Sequence, residues 1–366
     1  MESNNTNNNN NTNANTNNHL INQGKIGLNN RGNTCFLNTT IQCLSNVDGL
    51  TDYILENKFQ VPFKYEQKKK DLQNKLIKEF DIVRSFVQLI KVMWSSNESL
   101  DPKTFHISFQ KYHNRFEGYN QQDAEEALTI VMDSLHEVFS YPVDISIMGE
   151  SESDLDRLMV ESYQNWKKVT ENKYSVMTEL FMGQFVNQII SRDDEDRGKI
   201  ISRTFEIFDR LNLPIHGNTL YDCLHSYFNI ELLDDKYKDE VRNREVNVGR
   251  QIKFMILPKN LIIVLKRFQN NGMKLSKRND SVSFPLEDLN LTNFTTGYDK
   301  NEAEYRLKCI GCHMGGINGG HYYAICRHRD GKWYIFNDRR CEEYNIRGEI
   351  EMLQQRAYML IYEKKN

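Results

Sequence analysis

Apolar positions along this chain change their spacing about halfway through. In the first half they recur every three to four residues. Phe36, Leu37, Ile41 and Leu44 follow a turn-rich polar run, Asn29 to Thr34, which predicts a helix opening at Cys35. Leu72, Leu76, Phe80, Val83, Val87 and Ile90 stand at the same intervals among lysines and acids and predict a long amphipathic helix with a solvated charged side. Ala124, Leu128, Val131, Leu135 and Val138 mark the buried face of another, starting near Asn120 or Gln121. Helical spacing returns around Leu155, Leu158 and Tyr163, within an acidic and then mixed stretch from 149 to 180.

From Phe181 the period shortens. FVNQII, IISRTFEIF, LIIVLKRF, YRLKCIG, HYYAICRH, KWYIFND and AYMLIYE are rich in Val, Ile, Phe and Tyr and separated by Gly, Pro, Asn and Asp, as in an antiparallel sheet. Exposed hairpin tips are expected at Ser191 to Gly198 and at Lys274 to Ser281. Helices gathered before strands predict an α+β fold rather than alternating α/β units.

Composition narrows the function classes. At 366 residues and 39% hydrophobic the chain can build a real core, as one large domain with subdomains or as two. A net charge of −3 without long blocks of one sign implies neither a nucleic acid nor an anionic membrane partner. No run reaches the roughly 20 apolar residues of a membrane span, and the N-terminus lacks a charged-then-apolar signal pattern, so a soluble intracellular protein is expected. Cys35, Cys43, Cys223, Cys309, Cys312, Cys326 and Cys341 are odd in number and thinly scattered, unlike a secreted disulfide framework. The first residues, almost all Asn and Thr, have nothing to bury and are expected to be disordered.

Candidate chemistry begins at Cys35. Unpaired backbone N–H groups and the positive dipole end at a helix start favour thiolate over thiol, although a single cysteine beside an apolar helix is ordinarily a small buried hydrophobe. A partner far downstream changes the balance: His321 follows Gly319 and Gly320 and opens a strand. After a turn at Asp330-Gly331, the strand KWYIFND is placed to pair with the His321 strand and bring Asn337 or Asp338 against the imidazole. Asn-Asp after a strand also fits plain turn chemistry.

Together these motifs resemble the ubiquitin-specific protease family of papain-like deubiquitinases. GLNNRGNTCFLNTTIQCL is similar to the family's cysteine box, and GGHYYAICRH with KWYIFND to its histidine box. YNQQDAEEALTIVMDSLHE is similar to its helix after the cysteine, and LPKNLIIVLKRF with VSFPLEDLNL to its palm strands, so that the resemblance covers residues 25 to 364. It implies a papain-like cysteine protease fold: after an Asn-rich tail (1–24), a catalytic domain (25–366) with a helical thumb over about 25–180, then β fingers and an antiparallel β palm over about 181–366.

By the same resemblance Cys35 is the nucleophile, His321 the general base and then acid, and Asn337 the residue that orients it, with Asp338 beside it. Asn30 matches the oxyanion-hole side chain, and its alternative reading is a tight turn before the helix. Gly320 and Tyr322 line a narrow passage for a Gly-Gly tail, while Asp123 and Glu126 match acids that pair with the tail's arginines; acids in a first helical turn are also favoured by the dipole alone. The implied partners are ubiquitin and ubiquitinated proteins, in the cytoplasm or nucleus, with no nucleic acid, membrane or cofactor.

Many members carry two CxxC pairs that bind zinc at the fingertips. Here those regions read SRDDEDRG and DDKYKDEVRNRE, so fingers without metal are expected. Cys309 and Cys312, followed by His313, spell a haem-attachment signature but are expected to be structural, since haem attachment needs an export route. The alternatives carried forward are a ubiquitin-binding scaffold with little turnover and the same chemistry on a ubiquitin-like modifier.

Overall fold

The computed structural model describes residues 23–59, 74–112, 114–116, 118, 120–234, 236–239, 243–270, 275–316 and 319–365. Most of the Asn-rich tract, Leu72, Lys274 and the side chain of Leu76 fall outside them. The chain divides into two compact units: Met1–Phe139 with Lys308–Ile350, and Ser140–Leu307 with Glu351–Asn366.

The first unit holds five helices among its described residues: α1 (Cys35–Ser45), α2 (Asp48–Leu55), α3 (Asn74–Met93), α4 (Lys103–Tyr112) and α5 (Ala124–Phe139). The 3.6-residue period is realised as expected in α5, whose Ala124, Leu128, Val131, Leu135 and Val138 are all buried. In α3, Ile82, Val83, Phe86, Val87 and Ile90 are buried, with Phe86 5.7 Å from Phe105 of α4 between ring centroids. Each such side chain contributes about 1.5–3 kcal/mol of transfer free energy.

Helix α1 departs from a one-sided pattern, because all of its residues are buried. Several of its polar groups are met by hydrogen bonds, while Asn38 Oδ1 and Gln42 Oε1 have none. Thr40 donates to the carbonyls of Phe36 and Ala124 at 3.0 and 3.3 Å, Gln42 to that of Ile26 at 2.9 Å, and Ser45 accepts from Trp94 Nε1 at 2.9 Å. Periodicity therefore located this helix but understated its burial.

The sheet of the first unit runs from the later part of β12 (Glu304–Gly315) through β13 (Gly320–Arg327) and β14 (Trp333–Asn337) to β15 (Arg340–Glu343), antiparallel throughout. β13 and β14 turn at Asp330-Gly331, as the sequence predicts, with Ala324 opposite Phe336. Asn337 opposite Arg340 leaves a two-residue turn in which Asp338 takes the left-handed conformation, φ 48°. α1 packs on β13 and on α5.

The second unit begins with α6 (Asp154–Thr170) and α7 (Val176–Phe181), each opened by a serine capping box, at Ser153 and Ser175. Strands β1 (Gly183–Ser191), β2 (Ile200–Phe208), β4 (Glu231–Leu232) and β7 (Val248–Ile256) form a sheet in the order β2-β1-β7-β4. β8 (Asn260–Leu265), buried along its whole length, lies between β16 (Ala357–Lys364) and the short β3 (Leu211–Leu213). β5 (Tyr237–Asp239) pairs with β6 (Arg244–Val246), and β11 (Leu289–Asn290) with the start of β12.

Three features of this unit differ from or extend the sequence reading. Lys274 to Ser281 is not a hairpin tip over its described part: Leu275–Lys277 is strand β10, returning against β9 (Phe268–Asn270). Its charged residues look loop-like, yet cross-strand pairing rather than composition decides the conformation. Two helices interrupt the strand-rich half, α8 (Leu220–Phe228), capped by Thr219 and Asp222, and α9 (Ile350–Arg356). The expected tip at Ser191 to Gly198 does turn there, and Arg244 pairs with Glu195 and Asp196 at 3.0 and 3.4 Å while Asn247 donates to Asp193 at 2.9 Å.

Candidate active site

The loop before α1 is wound around one carboxamide. Asn30 Oδ1 accepts from the backbone N–H of Gly32 and of Thr34 at 3.0 and 3.1 Å and from the Thr34 hydroxyl at 3.2 Å. Gly32 and Asn33 adopt left-handed φ of 94° and 55°, which turns the chain sharply into the helix. Thr34 stands at the N-cap and makes no side-chain capping bond. The positive end of α1 is thus presented at Cys35, its first residue, which is 4% exposed.

The histidine comes from the opposite end of the sequence. His321, second residue of β13, places Nε2 2.7 Å from Asn337 Oδ1 at the end of β14, with the Cys35 side chain near enough to act on its imidazole. A carboxamide oxygen only accepts, so Nε2 carries the proton and Nδ1 is the nitrogen left for sulfur. The Cys35 side chain raises the imidazole pKa most; burial opposes it, and Asn337 and the negative charge of Asp338 add to it, bringing it to about 9.

Asp338 plays a different part from Asn337. Its Oδ2 is 4.0 Å from His321 Nε2, beyond hydrogen-bond range, so it acts on the ring through charge. Its two oxygens accept from Asn30 Nδ2 and from Asn38 Nδ2, both at 3.1 Å, and its carbonyl accepts from the Leu28 N–H at 2.7 Å. The β14–β15 turn is thereby seated on the cysteine segment. Gly27 permits the approach, since a Cβ there would fall 2.2 Å from the Arg339 carbonyl carbon.

The remaining sequence candidates lie at the start of α5 and in β13. Asp123 precedes α5 and caps it, accepting from the Glu125 N–H at 2.7 Å, while Glu126 pairs with Arg115 at 2.9 Å near the surface. Tyr322 is buried, which with the charge of Asp123 raises its phenol well above the usual range. Its ring lies 4.5 Å from that of His313 between centroids. The space where Gly320 lacks a Cβ is filled by the same imidazole, with His313 Nε2 only 2.2 Å from that position, whereas Gly319 has open space there.

Sequence reading missed three participants: Asn38, His313 and Gln121. Gln121, ahead of α5, makes two bonds to Gly320, through Nε2 to the carbonyl and through Oε1 from the N–H, both 2.8 Å. No periodicity marks a residue outside its helix. Cys309 and Cys312 are fully buried in β12, and the thiol of Cys309 lies against those of Cys43 and Cys326.

A thiol at a helix start, an imidazole beside it and a carboxamide behind the imidazole are the parts that cysteine-nucleophile chemistry of the papain kind requires. The family model "Ubiquitin carboxyl-terminal hydrolase" matches residues 26–362. The human ubiquitin carboxyl-terminal hydrolase 2 is 33% identical over 355 residues, covering 93% of this chain and 55% of that protein. Human ubiquitin carboxyl-terminal hydrolase 21 is 30% identical over 376 residues, covering 94% and 62%. The chain thus spans little more than half the length of these relatives. Among solved structures, the SAGA Ubp8/Sgf11/Sus1/Sgf73 DUB module bound to ubiquitin aldehyde superimposes with a TM-score of 0.71 at 23% identity, covering 95% of this chain and 71% of that one, and so shares the α+β fold. The chain belongs to the ubiquitin carboxyl-terminal hydrolase family of ubiquitin-specific proteases.

Proposed function

We propose that this chain is a thiol-dependent deubiquitinase that hydrolyses the isopeptide or peptide bond after the C-terminal glycine of ubiquitin. The observation that carries the reading is the His321 ring, bonded to Asn337 at 2.7 Å and most strongly influenced by the Cys35 side chain, in a chain of this family. The Cys35 thiolate attacks the glycine carbonyl, and the developing oxyanion is held by backbone N–H groups at the start of α1. Asn30 has one amide hydrogen engaged by Asp338 and a second to offer the oxyanion. His321 protonates the leaving lysine amine, then activates water to release ubiquitin. Gly320 and Tyr322 line the approach of the glycine tail, and Asp123 and Glu126 supply negative charge for its arginines.

Ubiquitin and ubiquitinated proteins are the partners this reading requires. The cysteines are all free thiols, in keeping with a reducing compartment such as the cytoplasm or nucleus. Among the described residues, no helix is long and apolar enough to cross a membrane. The test is reaction with ubiquitin bearing a C-terminal electrophile, together with cleavage of a ubiquitin–lysine conjugate. Wild-type protein is expected to form one adduct, at Cys35, and to cleave the conjugate; Cys35→Ala is expected to do neither. An adduct without cleavage would leave a binding scaffold, and no adduct at all would defeat the assignment.

A further inference from the structure

One side chain spans from the loop ahead of α5 to the strand that carries the histidine. Gln121 satisfies both main-chain groups of Gly320, donating to its carbonyl and accepting from its N–H, each at 2.8 Å. That is the bonding a neighbouring strand would provide. β14 does not provide it, since its register with β13 covers only Ala324 to Arg327. On the other edge Gly315 of β12 stands opposite Gly320. The connection there contains Gly315, Gly316 and Gly319, with Gly315 at φ 94° and the Gly316 N–H donating to the Gly319 carbonyl at 2.9 Å. Beneath Gly320 sits the His313 ring, packed where a Cβ would be.

His321 is the next residue. Its ring must meet sulfur on one side and a 2.7 Å partner on the other, a tolerance within which a shift of about 1 Å costs roughly 10²-fold in rate. We propose that Gln121 is a positioning residue for this chemistry: its carboxamide fixes the main chain of Gly320 and thereby holds His321 between Cys35 and Asn337. Toward ubiquitin turnover the inference rests on the deubiquitinase reading; toward the thiol–imidazole pair it stands alone.

The test therefore has a substrate-free arm and a substrate arm, on Gln121→Ala and Gln121→Glu in the full chain. In the first, Cys35 is alkylated with iodoacetamide, the sulfur displacing iodide to form a thioether, and the rate is followed by mass spectrometry across the titration range of His321. Folded Gln121→Ala is expected to react about tenfold more slowly near neutrality, the effect of losing two ordinary hydrogen bonds, with its alkaline limb moved to lower pH. Gln121→Glu keeps the acceptor for the Gly320 N–H and is expected to recover part of the rate. In the second arm kcat on a ubiquitin C-terminal amide falls by a similar factor while KM moves little.

An unchanged alkylation profile overturns the proposal, whether it comes with a raised KM, which would make Gln121 a substrate contact, or with a lower Tm, which would make it a purely structural tie. A wild-type protein that alkylates normally but never cleaves ubiquitin would sink the deubiquitinase reading and still leave the alkylation arm to decide the role of Gln121.

Discussion

The bond between His321 Nε2 and Asn337 Oδ1 supplies the sharpest test of the site. Asn337→Ala removes the 2.7 Å acceptor and leaves the contact with Cys35 and the charge of Asp338 in place. A hydrogen bond from a charged imidazolium contributes about 1.5–3 kcal/mol, so kcat/KM is expected to fall roughly 10- to 100-fold. The pH dependence carries a sign as well. The folded imidazole titrates at about 9 against 6.5 when unperturbed, so the imidazolium contributes stability in full below 6.5 and loses it as pH rises through about 9.

That shift corresponds to at most about 3 kcal/mol, discounted further because the His321 side chain is 29% exposed. Removing one of its upward causes must lower the alkaline limb of kcat/KM in Asn337→Ala, and adding charge in Asn337→Asp must raise it. The assay is a pH profile of ubiquitin C-terminal amide cleavage, with NMR titration of the His321 ring as an independent reading. An Asn337→Ala enzyme with wild-type rate and an alkaline limb still near 9 would refute the orienting role.

Asp338→Asn weakens the attraction for imidazolium and replaces an acceptor shared by Asn30 and Asn38, so the alkaline limb should drop and hydrogen exchange across 27–34 should quicken. Gly27→Ala drives a Cβ into the Arg339 backbone and should cost about 1–3 kcal/mol in urea unfolding; no change in midpoint would mean that the β14–β15 turn yields easily. The fully buried Arg267 donates to the carbonyls of Gln354, Ala357, Arg278 and Asp280. Arg267→Met removes these donors, with the Gln354 carbonyl keeping the Val282 N–H at 3.1 Å, and should destabilise the chain by about 3 kcal/mol. Glu126→Gln breaks an exposed pair with Arg115 and should leave the unfolding free energy within about 1 kcal/mol of wild type while raising KM for the basic ubiquitin tail.

The sequence by itself located the helix start at Cys35, the helices α3 and α5 and nearly every long strand, because each is written in local terms. Apolar spacing reflects which face meets the core, and turn residues mark where it must reverse. It also brought Asn337 or Asp338 toward His321, because a single hairpin separates them, and the 2.7 Å bond falls to Asn337. Tertiary structure alone decided the rest. Asp338 meets Asn30 and Asn38 across some three hundred residues, and Gln121 meets Gly320 across 199. Such bonds leave no periodic trace at either end, since a carboxamide looks the same in sequence whether it faces solvent or completes a strand edge. The burial of α1 on every side was equally hidden, because several of its polar residues are matched by carbonyls and side chains that only the folded chain brings near.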